Sequence, residues 1–137
     1  SIQIISDEIV KCARQQIGKP YSVGGSGPNS FDGAGIAKYC YMKQGISLPS
    51  KAQDQCKMGE LVKEPKGGDL VCFCTTYMLN CVKTNNAIDD AGIYTDDQKA
   101  VFIFVYATTT QWSASVQEKT TSLAEGNGHH IVSFRRI

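Results

Sequence analysis

The sequence predicts an α+β domain in which N-terminal helices pack on a central antiparallel sheet. Three observations carry this. Helical periodicity dominates up to Cys56, strand-like segments rich in β-branched and aromatic residues follow Gly68, and no linker, repeat or low-complexity stretch separates the two halves. The 137 residues are read as one domain, 1–137, with 42% hydrophobic and 20% charged residues.

The elements follow in order. Ser6 is a candidate cap for a helix running to Ile17, with Ile9, Val10, Ala13 and Ile17 at helical spacing before Gly18 and Pro20. "YSVGGSGPNS" (Tyr21 to Ser30) is a loop by composition. Asp32 suits the N-cap of a second helix carrying Ile36, Tyr39, Cys40 and Lys43 and closed by Gly45, and "SKAQDQCKMG" suggests a short third helix after Pro49. The period then changes. "DLVCFCT" (Asp69 to Thr75), "AGIYTD" (Ala91 to Asp96), "AVFIFVYA" (Ala100 to Ala107) and "HIVSFRRI" (His130 to Ile137) are predicted strands. "ATTTQWSAS" reads as a Thr/Ser-rich loop holding Trp112, the single tryptophan.

Composition excludes several classes. A formal net charge of +1 without a run of like charges gives no basis for nucleic-acid binding. The longest apolar stretch, "AVFIFVYA", is too short to cross a bilayer, and the amphipathic N-terminal segment does not read as a signal peptide. Six cysteines permit a disulfide framework and lean toward a secreted or surface location. Cys74 and Cys81 flank a short loop and are the candidate bridge. Cys12, Cys40 and Cys56 are read as free thiols on apolar helix faces. The C-x-C spacing of Cys72 and Cys74, with no second pair or nearby His, suggests no metal, and no cofactor is expected.

The functional question lies in "NSFDGAGIAKYCY" (Asn29 to Tyr41). A turn, an acidic residue and small residues open a helix, the place where thiol hydrolases keep a cysteine activated by the helix end and a neighbouring histidine. Taken with "GKPYSVGGSGPNSFDGAG", "YMKQGISLP", "GDLVCF", "DAGIY" and the terminal "RRI", the chain resembles the NlpC/P60 family of papain-fold cysteine peptidases over almost its whole length. The family pattern has a Tyr-x-x-Gly-Gly loop, Phe-Asp-Cys-Ser-Gly at a helix start, a Gly-x-x-Leu-Pro turn and a His-Val-Gly-Ile-Tyr strand.

The resemblance implies a papain-like NlpC/P60 fold. Carried over residue by residue, the nucleophilic Cys falls on Gly33, the base His on Asp90 and the orienting polar residue on Tyr106, with the loop Tyr retained as Tyr21. A rival register places the substituted Cys at Ala34, which displaces Gly35 from the motif and leaves Asp90 unexplained. Glycine has no group to attack a carbonyl, and aspartate cannot form the thiolate–imidazolium pair. The expectation is therefore an inactive member, a pseudoenzyme. Its former groove would bind a peptide, a peptidoglycan-like fragment or a protein partner through Tyr21, Asp32, Gly33, Ala34, Asp90, Tyr106 and Trp112. Family members typically cut the peptide stems of bacterial cell wall between D-glutamyl and diamino-acid residues. Two alternatives stand beside this reading. One is a hydrolase with altered catalytic residues, Asp32 and Asp90 offering an acid–base pair. The other is a scaffold whose cleft is closed. His129 and His130 enter the last strand facing opposite ways, so at most one approaches a cleft; both are read as surface or half-buried.

Overall fold

The computed structural model describes residues 2–76 and 80–137. Helix α1 spans Ile2–Gln15, α2 Gly33–Met42 and α3 Ala52–Gln55, ahead of β1 (Glu60–Val62), β2 (Leu70–Thr75), β3 (Asp90–Tyr94), β4 (Lys99–Ala107) and β5 (Trp112–Thr120). A short helix α4 (Thr121–Gly126) leads into β6 (His129–Arg136). The six strands form one sheet in the order β1-β6-β2-β3-β4-β5, and every strand pairing is antiparallel. Among the described residues no helix is long and apolar enough to cross a membrane.

Period-two alternation explains why β2 is buried along its whole length. Leu70 and Cys72 pack under α1 and α2 with Ile9, Ile36 and Ile93, whereas Val71 and Phe73 join Phe102 and Ala124 on the opposite face. Both faces of the central strands are thus covered, and the sheet delivers the C-terminal end of β2 and the start of β3 to the head of α2.

Three expectations need correction, and two elements are added. Helix α1 starts at Ile2, with Ser6 packed inside it beside Gly68, and it stops at Gln15 because the chain turns through Gly18 at φ +92°. Trp112 does not sit in a loop but begins β5, a strand paired along its length with β4. Strand β1 and helix α4 are further elements that composition did not signal. Cys12, Cys40 and Cys56 are not free thiols. All six cysteines pair, as Cys12–Cys40, Cys56–Cys72 and Cys74–Cys81. The apolar helix faces that bury Cys12 and Cys40 face one another, so their Cα atoms come within 5.6 Å.

Candidate active site

Asp32 adopts extended backbone geometry just before α2 and caps it, its Oδ1 accepting the Gly35 N–H at 2.6 Å. The loop from Tyr21 to Ser30 is held against this end of the helix, with the Asp32 N–H donating to Gly25 O at 2.8 Å. The approach needs glycine at position 35, where a Cβ would stand 1.9 Å from Gly25 O.

Gly33, the first helical residue, is closed off by β3. A Cβ there would lie 1.7 Å from Asp90 Oδ1 and 2.6 Å from the carbonyl oxygen of Ala91. The carboxylate of Asp90 therefore fills the space in which a side chain at position 33 would begin. Its Oδ1 accepts the Ala91 N–H at 2.9 Å, and its Oδ2 lies 3.1 Å from His129 Nε2. His129 is fully buried, its ring edge-on to Phe73 and Phe102 with centroids at 5.1 and 4.9 Å. Sequence reasoning missed this contact. The alternation argument allowed one of the two histidines to point inward, and it is His129 that does, while His130 faces outward beside Glu125 at 3.2 Å.

Burial pushes the Asp90 carboxyl above the usual aspartate range, and Asp89 adds to the rise. The hydrogen bond and charge of His129, with the Ala91 N–H, pull it back. Burial likewise pushes Asp32 up, opposed by the Gly35 N–H and reinforced by repulsion from Asp90. Asp89 is held apart from this pair, accepting from the backbone N–H of Thr75 at 2.8 Å and from the Thr75 hydroxyl.

Asp32, Asp89 and Asp90 line a groove of about 740 Å³, with His129 buried behind it. Of the residues carried over from the sequence, Tyr21, Asp32, Gly33, Ala34, Asp90 and Trp112 lie on its wall. Tyr106 does not. It stands near the far end of β4, 60% exposed and paired with Ser113, outside the groove lining. The groove side of β4 is given instead by Ile103 and Val105, neither of which can orient an imidazole. Trp112, 69% exposed, forms an apolar platform at one side, and Lys51 adds a positive charge at the α3 side. Among the described residues no group of three His, Cys, Asp or Glu is arranged to hold a metal ion. Chemically, the site offers three carboxylates (Asp32, Asp89 and Asp90), backbone amides at a helix start and an aromatic face. All six cysteines are committed to disulfides, so no thiol is free.

Comparison with known proteins places this geometry in context. The NlpC/P60 family model matches residues 18–124. A probable endopeptidase of Corynebacterium glutamicum is 40% identical over 67 residues, which are 47% of this chain and 32% of the relative. The bifunctional muramidase/DL-endopeptidase CwlT of Bacillus subtilis is 37% identical over 91 residues, 64% of this chain and 26% of that protein. The chain thus spans about a third or less of these curated relatives. RipD of Mycobacterium tuberculosis, described as a non-catalytic NlpC/p60 domain protein adapted to peptidoglycan binding, superimposes with a TM-score of 0.68 at 19% identity, covering 97% of both chains.

Proposed function

Because the chain belongs to the NlpC/P60 family, we propose that it is a member that binds without cutting: a peptide stem of bacterial cell wall, or a peptide like it, occupies the groove and is not hydrolysed. The observation that carries this reading is the contact between Gly33 and Asp90. At the helix start a carboxylate occupies the space a side chain would need, and the imidazole that accompanies it is buried behind it. A carboxylate held there accepts hydrogen bonds but is a weak nucleophile beside a thiolate. The open groove supports ligand binding over a filled scaffold, with Trp112 and Tyr21 on its wall for stacking. RipD offers a precedent within the same fold for binding without catalysis.

Titration with a muropeptide tests the proposal. Trp112 is the only tryptophan, so its emission reports groove occupancy directly. Saturable quenching or a blue shift is expected, together with density for the peptide along the wall formed by Asp90 and Trp112 in a soaked crystal. An unchanged spectrum at millimolar peptide would refute binding in this groove. The alternative of altered catalysis draws on Asp32 and Asp90 sharing one wall, and it requires turnover that disappears in Asp90→Ala.

A further inference from the structure

His129 lies behind the groove rather than in it, and the geometry gives it work. The anion at the start of α2 is favoured by the helix dipole, as a thiolate would be at that place. Here the acidic group is Asp90, which reaches the helix from β3, and the imidazole beside it comes from β6. The ring is fixed by its two aromatic neighbours, one on β2 and one on β4, so Nε2 has little freedom to leave Oδ2. The second oxygen is tied to the Ala91 N–H. The titratable groups facing Asp90 are His129 from β6, Asp32 ahead of α2 and Asp89 just before β3.

We propose that His129 is the positioning residue of the groove: its buried imidazole holds Asp90 as a fixed acceptor at the head of α2. An imidazole thereby stands beside an acidic group at the helix start, with a carboxylate in the place of sulfur. Resting on the binding function proposed above, this assigns the ligand group that meets Asp90 as an N–H donor, an amide or ammonium of a peptide. His129 does not touch the ligand. It acts through Asp90, which without it would keep only the Ala91 N–H as a tether.

The Ala91 amide is the reporter, because its proton is donated to Asp90 Oδ1. Its NMR shift is followed across pH in wild type, His129→Gln and His129→Leu. Removing a partner that favours the ionised carboxylate moves the Asp90 midpoint upward, most in His129→Leu and less in His129→Gln, which keeps a donor. A merely structural role predicts the opposite direction, since a loosened core hydrates Asp90 and lowers its midpoint. An unchanged or lowered midpoint in both variants overturns the proposal, and His129→Gln decides it alone if His129→Leu does not fold.

Calorimetric titration with the tripeptide L-Ala–γ-D-Glu–diaminopimelate supplies the second readout. Affinity should fall roughly tenfold in Asp90→Asn and in His129→Leu. Adding His129→Leu to Asp90→Asn should cost little more, because both act through one carboxylate. A full further loss in the double variant overturns the positioning role. If wild type does not bind the tripeptide, the proposed function fails, while the amide titration still decides the role of His129.

Discussion

Replacing Gly33 by Ala tests the contact on which the site is built. The new Cβ would lie 1.7 Å from Asp90 Oδ1 and 2.6 Å from Ala91 O. The carboxylate must retreat by more than an ångström, pulling on its bonds to Ala91 and His129, and the carbonyl can yield only if β3 moves. Overpacking of this kind costs about 1–3 kcal/mol, against a gain of up to about 1 kcal/mol from the better helix propensity of alanine. In an Asp90→Ala background the carboxylate clash is gone and only the carbonyl contact remains. A double-mutant cycle should therefore return a coupling of about 1–2 kcal/mol, or roughly 3–8 °C in melting temperature for a chain of this length. Thermal and denaturant unfolding of the four proteins, with disulfides intact, gives the number. Strict additivity in the cycle would refute the placement of Asp90 against Gly33. The same contact means that a cysteine at position 33 needs both removal of the Asp90 carboxylate and a small retreat of the strand behind it.

Burial raises Asp90 in the folded state above its ordinary value of 3.8, so the folded chain keeps a proton that the unfolded chain has lost. Its contribution to stability is present below that value and is lost as pH rises through the folded midpoint. Asp90→Asn should therefore gain stability relative to wild type as pH climbs from 4, then level off, and a declining difference would contradict the burial argument. Unreduced, denatured protein should take up no iodoacetamide, and reduction should expose all six thiols. Removing Cys12–Cys40, which are 28 residues apart, should cost more than removing Cys74–Cys81, which are 7 apart, about 3.6 against about 2.5 kcal/mol on loop entropy alone. Equal costs would mean that the unfolded chain is not what the bridges restrain. Tyr106→Ala should leave muropeptide affinity unchanged whereas Trp112→Ala weakens it, since only the tryptophan lines the groove; the reverse order would restore the sequence-based placement.

Much of this arrangement was legible in the sequence, for identifiable reasons. The Asp32 cap and the small residues after it mark the start of α2, and "AGIY" fixes the register that puts Asp90 opposite Gly33. Other features depend on partners distant in sequence. The edge strand β5 hides its Trp112, Ala114, Val116 alternation among Ser and Thr, and the stretch from Gly18 to Tyr21 covers part of its outer edge, with Gly18 N–H donating to Val116 O and Tyr21 N–H to Ala114 O. Strand β1 is only three residues long, too short for any period to show. The disulfides join segments whose proximity exists only once helices and sheet are packed. His129 reaches Asp90 because β6 pairs with β2 across an irregularity between Cys72 and Phe73, which sets His129 opposite Thr75. No local pattern encodes that register. Tyr106 lies outside the groove lining because "VFIFV" offers no anchor of its own, and the strand runs past the groove before reaching it.

The most direct test of the account is a mass-spectrometric time course of wild type and Asp90→Ala incubated with a muropeptide carrying the D-glutamyl–diamino-acid bond. The proposed reading, with glycine at the helix start and every cysteine paired, predicts intact peptide in both reactions at every time point, while Trp112 emission shows it bound. Cleavage by wild type that Asp90→Ala abolishes would contradict the proposed binding function and make the domain a hydrolase that works through the carboxylate.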